Sequence, residues 1–320
     1  MPDISLPESA FRWAVEPGAS PNDPLFVAHL SRPRTDDPTT LAVIADSHLT
    51  SSDDGTWKVY HRSKKHLKDA IVDINHRNVA GVLIAGDLTK DGTASEFRHA
   101  RELLDTLRFP VVAIPGNHDV PASRGNAHAT PPIARFDSGY DCELAPFVYD
   151  VDNIDLVGLD SVTATDKSSD RTHGGSIPAN QISWIKNVLA RVKCPIVASH
   201  HNLTDRLREI SPDSPDIYQL GNAEAVANVL NEGGVKILLS GHAHYPTVAH
   251  TSGIYEIIVP ATCSFPQGYA LVHIGTDGTK IEFVPIADRA GLKEAWRFAR
   301  ADNREYLLRA ATATYPIRTE

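Results

Sequence analysis

The sequence predicts an α/β fold with parallel strands, and two patterns indicate it. Short apolar runs alternate with segments that carry one apolar stripe at helical spacing, starting with the run from Leu41 to Ala45. Continuous apolar runs of this length are typical of strands buried on both faces. The intervening helices are long enough to connect parallel neighbours. In such sheets, functional side chains gather at the carboxyl ends of the strands.

The first half of the chain has a β-α-β-α-β order. The second predicted strand runs from Val79 to Ala85 and the third from Pro110 to Ile114. Thr93 with Glu96 three residues later predicts a capped start for the helix between them. The helix before the second strand is predicted from an apolar stripe formed by Leu67, Ala70, Ile71 and Ile74.

The second half continues the alternation. The predicted strands are Ile154 to Leu159, Pro195 to Ala198, Val235 to Leu239, Ile254 to Val259, Tyr269 to Ile274 and Ile281 to Pro285. The predicted helices begin at Ser176 and at Ala223, and a further helix lies near the C-terminus. Residues 120–150 look irregular, and we expect them to form a lid or rim over a site.

Three parts are predicted along the chain. Residues 1–38 are rich in Pro and form an N-terminal extension that lies on the domain, residues 39–288 form the main domain, and residues 289–320 form a C-terminal helical tail. The extension is expected to add an edge strand. The tail either covers one edge of the fold or contributes Trp296, Tyr306 and Leu307 to a homodimer.

Composition narrows the classes of function. The 320 residues carry a formal net charge of −9, and an extended nucleic-acid or anionic-membrane surface would instead need clustered Lys and Arg. A small anionic substrate is compatible with this charge if metal ions supply positive charge. The N-terminus lacks the apolar core of a secretory signal, and no apolar run approaches the ~18 residues of a membrane span. We therefore expect a soluble, cytoplasmic protein.

The cysteines predict neither a disulfide framework nor a thiolate zinc site. Cys142, Cys194 and Cys263 are sparse, odd in number and without a C-x-x-C pair. We expect reduced thiols.

Five apolar runs end at residues that bind cations. These ends are Asp46-Ser47-His48, Gly86-Asp87, Gly116-Asn117-His118-Asp119, Ser199-His200-His201 and Gly241-His242-Ala243-His244. If they meet in space, the chain holds two divalent ions, an arrangement suited to attack on phosphorus. Two adjacent ions need a shared anion, and we assign that role to Asp87. The remaining ligands are Asp46, His48 and His244 for one ion and Asn117, His200 and His242 for the other.

The chemistry of these ligands favours particular metals. Imidazole, carboxylate and amide groups without thiolate suit manganese or iron first and zinc second. With two carboxylates against roughly four positive charges, the site would stay electropositive, suited to an anionic phosphodiester and to lowering the pKa of a bound water to about 7.

These five motifs, in this order, resemble the signature of the calcineurin-like metallophosphoesterase superfamily. The sequences from Gly86 to Gly92 and from Pro115 to Asp119 are most similar to the class III cyclic-nucleotide phosphodiesterase and glycerophosphodiesterase branch of this superfamily. The resemblance covers about residues 40–288. It implies an α/β fold that is a four-layer α-β-β-α sandwich, two mixed β-sheets flanked by helices, with a dinuclear site at the strand ends.

The resemblance also implies roles for individual residues. The seven ligands named above carry over, and His200 is preferred to His201 because it occupies the family's usual ligand position. His118 would contact the phosphate and protonate the leaving alkoxide, with Asp119 orienting its imidazole. A positioned imidazole can supply that proton near neutral pH.

Two branches of the superfamily are disfavoured by departures from their patterns. Protein phosphatases carry Asp-Arg-Gly after the Gly-Asp and Glu after the Asn-His, where this chain has Lys90-Asp91-Gly92 and Asp119. Purple acid phosphatases need a Tyr ligand at the position of Lys90.

We therefore expect a phosphodiesterase that hydrolyses small phosphodiesters by attack of a metal-bound hydroxide. The substrates would be of cyclic-nucleotide or glycerophosphodiester type. The alternatives are a phosphomonoesterase or nuclease of the same superfamily, or a non-catalytic scaffold that binds proteins. The acidic charge argues against a nuclease, and the complete ligand set argues against a scaffold.

Other residues near these motifs have less specific interpretations. Trp57 and Tyr60 are read as packing the rim of the site rather than stacking a base. Most of the other histidines are expected on the surface, with contact to a substrate as the minor alternative for the loop residues His128 and His173, and His273 is expected to be structural. A basic cluster is read as a solvated helix face rather than an anion-steering surface; its members are Lys58, Arg62, Lys64, Lys65 and Lys68.

Overall fold

Two β-sheets lie face to face with helices on both outer faces, as a computed structural model of the protein shows. The structure describes residues 25–51, 57–119, 145–162, 173–210, 212, 217–286, 289–302 and 317–318. The predicted four-layer α-β-β-α sandwich is confirmed. Several predictions fall outside the described residues, namely those on residues 1–24, most of the irregular segment 120–150, His128, Cys142, Tyr306 and Leu307.

The described strands account for both sheets. In chain order they are β1 (Leu25–Leu30), β2 (Thr39–Ile44), β3 (Gly81–Ala85), β4 (Val111–Ile114), β5 (Phe147–Val151), β6 (Ile154–Gly158), β7 (Pro195–Ala198), β8 (Ile237–Ser240), β9 (Thr247–Thr251), β10 (Ile254–Ile258), β11 (Gly268–Gly275), β12 (Gly278–Pro285) and β13 (Ile317–Arg318).

Each sheet has a parallel portion that delivers strand ends to one edge. The first sheet has the order β13-β1-β12-β11-β2-β3-β4, with β2, β3 and β4 parallel. The second has the order β5-β6-β7-β8-β10-β9, with β6, β7, β8 and β10 parallel. The antiparallel strands β11 and β12 continue the first sheet beyond β2.

Alternation of side chains along β2 shows why the strand is apolar throughout. Leu41, Val43 and Ala45 belong to the core between the two sheets, while Ala42 and Ile44 pack under the helices of the first sheet. Successive side chains of a strand point to opposite faces. Because both faces are covered, every position of the run is buried.

The helices cover the outer faces. They are α1 (Ser63–Asn75), α2 (Ala94–Leu104), α3 (Ala179–Leu189), α4 (Arg206–Ile210), α5 (Ala223–Glu232) and α6 (Arg289–Ala301). α1 and α2 pack on the first sheet, and α3 and α5 pack on the second. Thr93 and Glu96 form the predicted capping box at the start of α2. Among the described residues, none of these helices combines the length and hydropathy that a bilayer crossing requires.

Several features of the fold differ from the sequence predictions, including β9, which no predicted strand covers, and β13, a strand within the tail predicted to be helical. Phe147–Val151 is a strand that begins inside the segment expected to be irregular. Only Phe147 and Val151 are buried in this edge strand, so it lacks the long apolar run that marks the central strands. The strand of the N-terminal extension, β1, pairs with β12 on one side and with β13 on the other, so it is not the outermost strand. The short helix α4 lies between Asn202 and Gly221, a segment whose sequence predicts an irregular loop.

The C-terminal helix α6 packs one face against the protein and exposes the other. Trp296 is buried against Phe265, and the two ring centroids are 5.3 Å apart. Val59, just before a short 3-10 helix at Tyr60–Arg62, belongs to the same apolar cluster. This packing supports the interpretation that the tail covers the fold, while the three-part division of the chain stays a prediction.

Candidate metal centre and active site

The five motifs predicted from the strand ends meet at one edge of the sandwich. They follow β2, β3 and β4 in the first sheet and β7 and β8 in the second. Asp87 lies between the two groups. Its Oδ2 is 3.4 Å from Nε2 of His48, and its Oδ1 is 3.4 Å from Nε2 of His200.

The side chains form two groups that share Asp87. One group contains Asp46, His48, Asp87 and His244, and the other contains Asp87, His200 and His242. Within each group the candidate ligand atoms lie within 4.8 Å of one another. The two groups match the two ligand sets expected from the sequence, apart from Asn117.

Asn117 and His200 present buried atoms that suit a metal ion. The Oδ1 of Asn117, a residue only 1% exposed, has no hydrogen-bond partner among the described residues, and neither has Nε2 of His200. The Nδ1 of His200 donates to the carbonyl oxygen of Ala85 at 2.9 Å, which leaves Nε2 directed towards Asp87. Unpaired buried polar atoms are rare and need an explanation. An ion beside Asp87 would supply their partner.

Both histidines of the Gly241-His242-Ala243-His244 motif have one ring nitrogen hydrogen-bonded to a residue outside the ligand groups. Nε2 of His242 donates to the carbonyl oxygen of Ile217 at 3.0 Å, which leaves Nδ1 for a ligand bond. Nδ1 of His244 is hydrogen-bonded to Oγ of Ser264 at 2.8 Å, and its Nε2 lies 3.3 Å from Oδ1 of Asp46. Such outer bonds fix the orientation of metal-binding imidazoles. The donor set therefore fits two divalent ions.

The geometry favours His200 over His201 as a ligand. Both ring nitrogens of His201 have other partners, because Nδ1 bonds Oγ of Ser161 at 2.8 Å and Nε2 donates to the carbonyl oxygen of His173 at 3.0 Å. His201 therefore supports the loop around His173 rather than the metal groups.

The backbone at these positions adopts a conformation that side chains rarely take. Positive φ angles occur at five of the candidate ligands, Asp46 (51°), His48 (43°), Asp87 (49°), His242 (66°) and His244 (62°). Left-handed residues other than Gly are uncommon, and they concentrate at functional sites where surrounding structure holds them in place. The sharp turns bring the side chains together at the ends of the strands.

Two glycines allow the backbones to approach closely. A Cβ at Gly86 would lie only 2.4 Å from Nδ1 of His200, and a Cβ at Gly116 only 2.2 Å from the backbone nitrogen of Asp87. Any larger residue would displace the neighbouring strand end. These contacts explain why Gly precedes Asp87 and Asn117 in the motifs.

The electrostatics of the cluster favour positive charge near Asp87. Burial alone would raise the pKa of Asp87, but His200, His118 and His48 hold that pKa well below its ordinary value. Burial also lowers the pKa of His200, yet the carboxylates Asp87 and Asp46 outweigh it and raise that pKa to about 9. The carboxylates thus stabilise a cation at the place where the ligand atoms converge.

The remaining imidazoles of the cluster are held neutral. Burial, followed by the positive charge of Lys58, lowers the pKa of both His48 and His244 well below the ordinary value. For His242 the causes are burial and the neighbouring His201. A neutral imidazole is the form that binds a metal.

His118 faces the cavity beside Asp87. Its backbone nitrogen donates to Oδ1 of Asp87 at 2.7 Å, and its Nδ1 donates to the carbonyl oxygen of Lys90 at 2.8 Å. The Nε2 atom lies 3.4 Å from Nζ of Lys58. The ring nitrogen of His118 that faces the cavity is therefore Nε2.

The expected contact between Asp119 and the imidazole of His118 is wrong. The Asp119 carboxylate instead accepts from the backbone nitrogens of Leu88, Thr89 and Gly116 and from Oγ1 of Thr89. Burial and the nearby Asp87 raise the pKa of Asp119 to about 6. Asp119 therefore joins the loops after β3 and β4, and the Lys90 carbonyl orients the ring of His118.

A cavity of about 350 Å³ opens over the cluster. Its lining combines imidazoles, aromatic rings and charged groups: Trp57, Lys58, Tyr60, Asp87, His118, His173, Ile217, Tyr218, His242, His244 and Asp302. His173, for which contact with a substrate was the minor alternative to a surface position, lines this cavity. Tyr218 and Asp302 were not expected there, because no motif marks the segments that carry them.

Lys58 corrects a sequence interpretation. It was read as part of a solvated helix face, but it precedes α1 and is only 8% exposed. Its Nζ lies 3.1 Å from Nε2 of His48. Its place next to the basic residues of α1 made Lys58 resemble a solvent-exposed lysine. The sequence feature that could have indicated a place in the site is its position only ten residues after His48. Trp57 and Tyr60 both line the cavity and pack in the rim.

Two other histidines have structural roles. His66 was expected on the surface, yet it is buried, and Nε2 of Gln267 lies 3.1 Å from its Nδ1. His273 bonds Thr40 and Glu282 across neighbouring strands, in agreement with the structural role predicted for it.

Comparison with known proteins decides the family. Residues 39–246 match the sequence model of the family described as "Calcineurin-like phosphoesterase". The chain belongs to this family. It is thus a metallophosphoesterase, a hydrolase of phosphoric esters, from a family whose members depend on two metal ions.

Individual relatives of this phosphoesterase are distant. A probable cyclic nucleotide phosphodiesterase of Vesicomyosocius okutanii is 26% identical over 224 residues, covering 70% of this chain and 86% of that protein. A cAMP/cGMP dual specificity phosphodiesterase of Mycobacterium tuberculosis is 25% identical, covering 74% and 71%. The structure of a dimetal phosphatase from Danio rerio has a TM-score of 0.60 at 19% identity, covering 79% and 98%. That structural likeness supports the fold.

The position of Asp87 predicts the effect of removing its carboxylate. Asp87→Ala should lose paired metal binding and hydrolysis together, because both ligand groups share this residue. Metal content per chain, measured by plasma mass spectrometry after dialysis, checks the first effect. His201→Ala is a matched control that should retain the metal content. Full occupancy of two ions in Asp87→Ala would contradict the bridging role.

Proposed function

We propose that this phosphoesterase is a phosphodiesterase that hydrolyses small phosphodiesters at a dinuclear centre. The observation that carries the proposal is the buried Asp87 carboxylate, shared by two ligand groups, with His118 directly beside it. The ligands are proposed to be Asp46, His48, Asp87 and His244 for one ion and Asp87, Asn117, His200 and His242 for the other. Manganese or iron suits this donor set best.

Two divalent ions bound there would supply Lewis-acid chemistry, activating water and offsetting charge on the phosphoryl oxygens. The protein's part is to hold the donors in place. Glycines at positions 86 and 116 bring the strand ends together, and outer hydrogen bonds from the Ala85 and Ile217 carbonyls orient His200 and His242.

His118 is proposed to protonate the leaving oxygen. The Nδ1–H bond to the Lys90 carbonyl fixes the ring, so the proton to be transferred resides on Nε2, which faces the cavity. An alkoxide leaves poorly unless it is protonated, and an imidazole is suited to this near neutral pH. Asp119 contributes indirectly, because it holds the loop that carries His118.

The substrate class is inferred from the cavity and the relatives. A space of about 350 Å³ is of the size that small-molecule sites have. Aromatic rings of Trp57 and Tyr218 line it, and such rings can pack against a nucleobase. Relatives described as cyclic nucleotide phosphodiesterases support a cyclic nucleotide, and a glycerophosphodiester is the second candidate.

A substrate panel tests the proposal. Purified protein loaded with manganese should cleave bis(p-nitrophenyl) phosphate. At least one natural phosphodiester should be cleaved with a higher kcat/KM than this artificial ester. The panel should contain cyclic AMP, cyclic GMP, glycerophosphodiesters, phosphomonoesters and single-stranded DNA. Cleavage of monoesters alone, or of DNA alone, would contradict the proposal.

The role of His118 predicts a dependence on the leaving group. His118→Ala should retain both ions, because the imidazole belongs to neither ligand group, and should lose about 10²–10⁴-fold in kcat. The loss should be greatest for substrates with poor leaving groups, which need the proton most. Steady-state rates on a series of aryl and alkyl phosphodiesters measure this. Loss of a metal ion in His118→Ala would show that His118 is a ligand instead.

A further inference from the structure

The backbone around Lys58 is held by two segments that are distant in sequence. Lys58 forms a β-bridge with Ser264, and the next residue, Val59, donates its backbone N–H to the carbonyl oxygen of Cys263 at 2.7 Å. The preceding Trp57 donates its backbone N–H to the carboxylate of Asp302 at 2.6 Å. Segments distant in sequence thus fix the position of the Lys58 Cα.

The ammonium group of Lys58 lies inside the site. Its Nζ is 3.1 Å from Nε2 of His48 and 3.4 Å from Nε2 of His118, and the side chain lines the cavity. Lys is rarely buried, because removing its charge from water is unfavourable. A buried Lys directed at a phosphoesterase cavity therefore indicates that its charge is used there.

We propose that Lys58 is a catalytic residue that binds a non-bridging phosphoryl oxygen of the substrate. The inference rests on the proposed function of the site. For His118 to protonate the leaving oxygen, that oxygen must lie about 2.6–3.2 Å from Nε2 of His118. Nζ of Lys58 is 3.4 Å from the same nitrogen, so the other oxygens on that phosphorus are within its reach.

The chemistry of the ammonium group suits this role. It has three N–H donors at the end of a flexible four-carbon stem, so it can turn from His48 towards an anion while its Cα stays fixed. Lysine binds phosphate as a point charge, and charged hydrogen bonds are stronger than neutral ones. Charge on the equatorial oxygens persists through the transition state, so Lys58 would stabilise both bound substrate and transition state.

Removing the side chain of Lys58 should change the rates of hydrolysis in a different way from removing that of His118. His118 acts on the leaving oxygen, so its contribution depends on how well the leaving group departs. Lys58 acts on oxygens that remain attached to phosphorus. Its removal should therefore lower the rates of good and poor leaving groups by a similar factor.

The test compares Lys58→Met with Lys65→Met and Lys58→Arg in the manganese-loaded protein. Methionine keeps an unbranched stem of similar length without the charge. Lys65 lies on α1 with a side chain that is 62% exposed, so Lys65→Met matches the substitution outside the site. The measurements are metal content, the Kd of inorganic phosphate by calorimetry, and kcat/KM on aryl phosphodiesters with good and poor leaving groups.

Lys58→Met should weaken phosphate binding and lower kcat/KM by about ten- to hundredfold, with two ions retained and the leaving-group dependence unchanged. Lys65→Met should match the wild type, and Lys58→Arg should recover much of the phosphate affinity. Phosphate affinity within twofold of the wild type in Lys58→Met would overturn the proposal. Loss of an ion, or a loss confined to poor leaving groups, would also overturn it. The phosphate measurement stands even if no phosphodiester is cleaved, so failure of the proposed function can be recognised separately.

Discussion

The buried carboxylate of Asp87 is the constraint around which the site is arranged. This residue is 1% exposed and lies at the junction of two sheets. An ionised carboxylate taken out of water without a partner costs several kcal/mol, so its surroundings must compensate for the charge. Imidazoles of His48 and His200 lie on opposite oxygens, and the backbone N–H of His118 donates to one of them. The glycines and the outer hydrogen bonds of His200 and His242 help to hold these groups together.

The strained turns at the strand ends follow from that requirement. Side chains from two sheets can converge on one carboxylate only if the chain turns sharply as it leaves each strand. The left-handed conformations of five candidate ligands provide such turns, at about 1–3 kcal/mol each. Large apolar cores between the sheets and under the helices stabilise the scaffold that holds this strain. Asp119 adds a direct bond between two of the loops.

The sequence could predict that these candidate ligands come together because each motif follows an apolar run. A strand buried on both faces is recognisable from composition alone, and its last residue locates the functional edge. The same logic does not predict which atom a neighbouring side chain contacts. Asp119 adjoins His118 in the motif, yet its carboxylate turns to the backbone of the loop after β3. The resemblance implied a contact with His118, but side chains of residues that are adjacent in a motif need not contact each other.

Lys58 and β5 could not be predicted for related reasons. Lys58 belongs by composition to a run of basic residues that mostly face solvent, but its backbone is bridged to Ser264 and its side chain lines the cavity. Phe147–Val151 is an edge strand with a half-exposed middle, so its pattern resembles a loop. Both depend on long-range pairing, which local patterns do not contain.

The central proposal is that two metal ions would share the carboxylate of Asp87. One ion would be held by the ligand group that contains Asp46 and the other by the group that contains His200. Anomalous diffraction from crystals grown with manganese tests it most directly. Two anomalous peaks about 3.5–4 Å apart, one on each side of the Asp87 carboxylate, are the predicted result. A single peak, or a second peak away from Asn117, His200 and His242, would contradict it.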